Sequence, residues 1–207
     1  FSDIRTQGYL YVDKTALVWQ IANSGKPFFL SRPRRFGKSL LLSTFEAYFQ
    51  GKKELFAGLD IEHLEDKWEK HPVFHMDLNA RKYERPEDLI AMLNQFLERW
   101  EELYGTEKQD RAPEERFGYV IQKAFEKTGK GVVVLVDEYD KPLLQAIHNE
   151  NLLEAYRTIL KAFYGTLKSY DSCLRFAFLT GVTKFSQVSV FSDLNQLNDI
   201  SMCTAYV

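Results

Sequence analysis

From Pro27 onward the chain alternates between two kinds of apolar pattern. Short, nearly unbroken apolar runs have the length of buried strands, while longer stretches with apolar positions three and four apart read as amphipathic helices. Strands are predicted at Phe28–Ser31, Val73–Asp77, Val132–Asp137 and Arg175–Thr180, with a weaker fifth at Leu197–Ser201. Helices fill the intervals. Ser39–Gln50 places Leu41, Phe45 and Tyr48 on one face, and Gly51 stops it. Pro86–Tyr104 puts Leu89, Met92, Leu93, Phe96, Leu97, Trp100 and Leu103 on one side, with Pro86 first and Glu87 and Asp88 in the first turn. Two more helices are expected at Phe117–Lys127 and Asn151–Tyr170, and the polar, proline-containing stretch Gly105–Glu115 reads as a surface loop. Alternation of this kind predicts an α/β domain, helices on both faces of a mainly parallel sheet of about five strands. Phe96, Trp100, Phe163 and Tyr164 stand at helical spacing and read as core, not as a platform for stacking bases.

The sequence holds 207 residues, enough for one domain with a substantial core. Residues 27–207 are expected to form that core, with residues 1–26 as a flanking segment packed on it. With 45% hydrophobic and 27% charged residues the chain is globular, and a net charge of −2 gives no global attraction to nucleic acid or membrane. No apolar run approaches the roughly 18 residues of a membrane span. Cys173 and Cys203 make neither a metal-site spacing nor a disulfide framework, which suits a reducing, cytoplasmic setting. His63, His71, His75 and His148 likewise lack ligand spacing. The chain begins at Phe1, without a Met, and is read as a piece of something longer.

Candidate chemistry gathers at two strand ends. Gly37-Lys38-Ser39 closes the loop Ser31-Arg32-Pro33-Arg34-Arg35-Phe36, between an apolar strand and an amphipathic helix, as in a phosphate-binding P-loop. Backbone amides from Arg34, Arg35, Phe36, Gly37, Lys38, Ser39 and Leu40 would cradle phosphate, helped by the helix N-terminus. The Lys38 ammonium would meet the β/γ-phosphates. The full pattern G-x-x-x-x-G-K-[ST] wants Gly at position 32, where this chain has Arg32. About a hundred residues on, Val132–Val136 ends in Asp137 and Glu138, as Walker B strands do. Ser39 and Asp137 would hold Mg²⁺, and Glu138 would orient and deprotonate the attacking water. Thr180, ending the fourth strand, is a candidate sensor of the γ-phosphate, with Thr183 as the alternative.

Longer stretches carry a resemblance. Gly8–Thr15, Phe29–Ser39, Val136–Leu143 and Leu179–Phe185 together resemble the AAA-ATPase-like family of bacterial P-loop proteins, often encoded ahead of a PD-(D/E)XK nuclease-like domain. The resemblance covers Gly8 to about Met202, and Arg32 belongs to this family's own form of the loop. It implies an additional-strand P-loop fold, with the sensor strand between the two Walker strands. It also implies ATP and Mg²⁺ as ligands, and an ATPase that drives or switches an attached or partner effector. Tyr11 of the leading segment could pack near the base, and Asp13 could cap the helix beginning at Lys14-Thr15. Asp140 could reach the metal site or pair with Lys141. A nucleotide-binding interaction module without turnover and a nucleic-acid-associated module are the competing readings. Nucleic acid would be met through the effector, and a homo-oligomer stays open. With no later arginine in a finger motif, slow turnover is expected of this chain alone, raised by assembly, by a partner, or by Arg34 or Arg35 acting in cis.

Overall fold

Five parallel strands form the centre of the computed structural model, which describes residues 1–25, 27–107, 110–184, 190–191, 194 and 197–202. They are β1 (Phe28–Ser31), β2 (Val73–Asp77), β3 (Val132–Asp137), β4 (Leu174–Gly181) and β5 (Asn198–Asp199), in the spatial order β2-β3-β4-β1-β5. The helices are α1 (Ser2–Thr6), α2 (Thr15–Ala22), α3 (Lys38–Phe49), α4 (Pro86–Tyr104), α5 (Pro113–Thr128), α6 (Lys141–Gln145) and α7 (Glu150–Ser169). This is the α/β P-loop architecture, with β4 inserted between β3 and β1.

Side-chain alternation along each strand feeds two cores, one on each face of the sheet. Phe28, Val133, Leu135, Phe176 and Phe178 face α2 and α3, where they meet Val18, Ile21, Leu42, Phe45 and Phe49. Phe29, Phe74, Met76, Val134, Val136, Ala177 and Leu179 face the opposite layer of α4, α5 and α7. Since both faces are covered, the central strands read as continuous apolar runs. Phe117 stacks on Phe163 at 4.3 Å, and Phe74 on Trp100 at 4.4 Å. The aromatics of α4 and α7 are therefore core, as their spacing predicts.

Local chemistry sets the helix starts. In α4, Pro86 needs no amide partner in the first turn, and Asp88 accepts from the backbone N–H groups of Glu84 and Arg85 at 3.0 and 2.9 Å. Asn149 caps α7 by accepting from the Leu152 N–H. Helix α5 begins at Pro113, four positions before the apolar periodicity does. The cause is Arg116, buried in that first turn and paired through two bonds with the equally buried Glu101 of α4, at 2.8 and 2.6 Å. A charge at a core position hides the helix from a hydrophobic pattern. The predicted fifth strand shrinks to β5, whose ladder pairs with β1 among the described residues are Phe28–Asn198 and Phe29–Asp199.

The leading segment is tied to the same face as α3. Val18, Ile21 and Ala22 of α2 lie in that core, and Arg5 donates to the carbonyls of Leu55 and Ala57. Asp13 accepts from the Thr15 N–H and hydroxyl, and from the Asp60 N–H. One residue ahead of the N-cap Lys14, it satisfies the first amide of α2 and ties the chain before α2 to the Asp60 amide. Cys203 and Phe185 lie outside the described residues. No described helix is long and apolar enough to cross a membrane.

Candidate functional site

All strands point one way, so their carboxyl ends open on one edge of the sheet, where such folds place ligands. At that edge β1 hands over to α3. The Arg32 N–H still donates to the Gly181 carbonyl at 3.2 Å, and beyond it the chain loops out. Two residues of the loop take left-handed backbone, Arg35 at φ 66° and Gly37 at φ 76°. Gly37 caps α3, its carbonyl accepting from the Leu41 N–H. Nothing crowds a Cβ at Gly37, so the requirement for glycine is the backbone angle alone.

Lys38 turns inward and is 4% exposed. Its Nζ donates to the carbonyls of Arg32 and Pro33 at 3.0 and 3.2 Å and faces Glu138 Oε1 at 3.4 Å. The neighbouring Ser39 hydroxyl donates to Asp137 Oδ2 at 2.5 Å. Asp137 Oδ1 accepts from the Thr180 hydroxyl at 2.6 Å. The inserted strand makes that second bond: β4 pairs Leu179 with Val136 and Thr180 with Leu30, which holds the Thr180 hydroxyl beside the end of β3. Lys38, Ser39, Asp137, Glu138 and Thr180 thus converge at one place. Thr180 is fully buried, and its hydroxyl is directed at Asp137.

Glu138 follows β3 in left-handed backbone, φ 55°, a conformation that costs a non-glycine residue about 1–2 kcal/mol. The turn after it offsets that cost. The Tyr139 N–H donates to the Thr180 carbonyl, and the Lys141 N–H returns to the Glu138 carbonyl at 3.0 Å. One carboxylate oxygen of Glu138 faces Lys38, while Oε2 is buried with no hydrogen-bond partner among the described residues.

Asp140 does neither thing the sequence suggested. It is fully buried and accepts from the N–H groups of Val182 and Thr183 and from the Thr183 hydroxyl, at 2.8–3.2 Å. It locks the loop leaving β4 to the turn leaving β3. Gly181 makes the approach feasible, since a Cβ there would stand 2.5 Å from the Tyr139 ring and 2.9 Å from Asp140 Oδ1.

Two cavities flank Gly37 and Lys38. One, of about 460 Å³, is lined by Arg34, Arg35, Ser39, Asn79, Glu138 and Lys141. The other, of about 580 Å³, is largely apolar, with Tyr11, Leu17, Leu30, Phe36, Leu41 and Ile200 in its wall. Leu40 borders both. Burial pushes the phenol of Tyr11, in the wall of the apolar cavity, above its ordinary pKa. Asn79 and Lys141 were not picked out from the sequence. Asn79 leaves the end of β2 beside the site, and Lys141 lies three residues past Glu138; position relative to a predicted strand end was the only available signal.

A metal at this edge would meet oxygen donors alone, Ser39 and Asp137, a set suited to a hard cation that keeps waters and phosphate oxygens as its other ligands. The residues fit Mg²⁺. Among the described residues no three His, Cys, Asp or Glu side chains group as a self-sufficient metal cage. His71 Nδ1 lies 2.9 Å from the Gly131 carbonyl and His75 Nδ1 lies 2.8 Å from Glu46, both away from this site.

The comparisons with known proteins agree with the geometry. A protein described as "Uncharacterized protein in vnfD 5'region", from Azotobacter chroococcum mcd 1, is 41% identical over 213 residues. The alignment takes in the whole of this chain and 40% of that relative, so the chain spans less than half the relative's length. The family model described as "Predicted AAA-ATPase" matches residues 1–191. With its sheet order, its phosphate loop and a match over nearly the whole sequence, the chain belongs to the AAA-ATPase-like family.

Proposed function

We propose that this chain binds ATP with Mg²⁺ and hydrolyses it, as a module that drives or switches an attached or partner effector. The observation that carries the reading is the meeting of Lys38, Ser39, Asp137 and Glu138 within 2.5–3.4 Å contacts at the open edge of the sheet. The polar cavity would take the triphosphate and the apolar one the base, since both cavities border Gly37 and Lys38. Phosphate oxygens replace Glu138 and the loop carbonyls as partners of Lys38. Ser39 and Asp137 would hold the Mg²⁺, which would supply neutralisation of the phosphate charge. Freed from Lys38, Glu138 accepts a proton from the attacking water, its otherwise unpartnered Oε2 being the available acceptor. A non-hydrolysing nucleotide module would have no use for a carboxylate held in strained backbone at this point. The relative is longer than the matched region, which makes up 40% of it, so that protein has room for an attached unit.

Two variants separate the steps. Lys38→Ala removes the cation aimed at the β/γ-phosphates, and titration with a fluorescent ATP analogue should show binding lost or severely weakened. Glu138→Gln should bind ATP as the unmodified chain does while hydrolysis falls about 10²–10⁴-fold, the usual cost of removing a general base. Hydrolysis within a few-fold of the unmodified rate would reduce Glu138 to a structural residue.

A further inference from the structure

Resting on the ATPase reading, we propose that Lys141 is a catalytic residue of the same site, a cation supplied in cis that stabilises the charge of the γ-phosphoryl group in flight. Hydrolysis of the β–γ anhydride requires it somewhere. The water oxygen bonds to Pγ and the bond from Pγ to the bridging oxygen breaks. Its electron pair stays on the β-phosphate of ADP, and the water proton passes to Glu138, to leave with inorganic phosphate. Negative charge thus moves onto the bridging oxygen and spreads over the γ-oxygens, and a fixed cation beside them lowers the barrier.

Four cations border the polar cavity: Arg34, Arg35, Lys38 and Lys141. Lys38 is committed to the loop carbonyls and, when phosphate arrives, to the β/γ bridge. Arg34 and Arg35 lie in the phosphate loop and are exposed. Lys141 differs from both in how its backbone is held. Its N–H is bonded to the Glu138 carbonyl, so it sits one turn beyond the catalytic base. Asp140 before it is fully buried and bound to Val182 and Thr183, and Pro142 and Leu143 after it are buried. The one carboxylate next to it in sequence is therefore turned away. Among the described residues the Lys141 ammonium has no ion-pair or hydrogen-bond partner, although it is half-buried at the cavity wall. An anchored backbone, an uncommitted ammonium and the base on the same turn are the arrangement a built-in cation requires.

The test compares Lys141→Ala, Lys141→Met and Lys141→Arg with the unmodified full chain. Removing one electrostatic contact to developing charge costs about 10²–10³ in kcat. That loss is expected for the Ala and Met variants, with partial recovery in Arg, while ADP binds within a few-fold of normal. Affinity for ADP with aluminium fluoride, which imitates the phosphoryl group in flight, should fall with kcat. The Met variant keeps the aliphatic stem, so a folding defect in Ala does not decide the matter, and thermal melting checks both. Unchanged kcat in the folded variants overturns the inference, as does an equal loss of ADP and ADP–aluminium fluoride affinity. If the unmodified chain hydrolyses ATP and Lys141→Met does too, Lys141 alone is refuted. If the unmodified chain binds ATP but does not hydrolyse it, the ATPase reading fails and Lys141 with it.

Discussion

Asp137 stands between two hydroxyl donors, Ser39 from the phosphate loop and Thr180 from the inserted strand. Those bonds fix the carboxylate, so a Mg²⁺ held there would need no reorientation of Asp137. Thr180→Val keeps the volume and removes one donor. Leaving a buried oxygen of Asp137 short of a bond should cost about 1–3 kcal/mol of stability in denaturant melts. The Mg²⁺ concentration needed for half-maximal ATP binding should rise as well. A loss of stability with no change in Mg²⁺ requirement would make Thr180 a structural residue only. Lys38, Ser39, Asp137 and Glu138 could be read from the sequence because each lies in a contiguous motif whose local pattern, strand end or loop before helix, states its chemistry. The partners of Asp140 could not. They lie more than forty residues away and are brought to it by the register between β3 and β4.

Elements were legible where burial made the pattern regular. Both faces of the sheet are covered, so β1 to β4 stand out as apolar runs, and α4 and α7 show unbroken helical spacing. The start of α5 was lost because Arg116 takes a core position there and satisfies its charge on Glu101. The entry to β2 carries a different signature, a buried histidine. Burial, the largest cause, holds the His71 imidazole below its ordinary value of 6.5, outweighing the bond to the Gly131 carbonyl. Between the lowered folded pKa and 6.5 the unfolded chain takes up a proton that the folded chain refuses, so stability falls as pH drops through that window. Glu46 on α3 adds a second loss of the same sign. The hydrogen bond from His75 holds its carboxyl below the usual 4.5, and the stability this gives is lost as pH falls from 4.5 through the folded value. Melting temperature should therefore decline in two stages on acidification. In His71→Asn, whose side-chain amide can still donate toward Gly131, the upper stage should flatten. An unchanged upper stage would assign it to other groups.

At the scale of the whole molecule, charge is unevenly placed: the net charge is −2, yet four cations border one cavity of about 460 Å³. Every group given a role in hydrolysis comes from a single copy: Lys38 and Ser39 from the start of α3 after the loop, Asp137 from the end of β3, Glu138 from the turn after it, Lys141 from the first turn of α6, and Thr180 from β4. Sequence alone left open whether a second copy must lend the positive charge that the transition state needs, because no arginine beyond the phosphate loop stands in a finger motif. With Lys141 in the wall of the cavity, that need disappears. Turnover per molecule should then stay constant as protein concentration is raised. A mixture of Lys38→Ala, which retains Lys141, with Lys141→Met, which retains Lys38, should remain as inactive as either variant alone. In a site shared between copies, such a mixture would pair the intact phosphate loop of one chain with the intact cation of the other and recover activity. Recovery on mixing, or a rate per molecule that climbs with concentration, would place the cation on a neighbouring subunit and make assembly part of the chemistry. A constant rate leaves each copy a complete catalytic unit, and any assembly would then serve the effector instead of the hydrolysis.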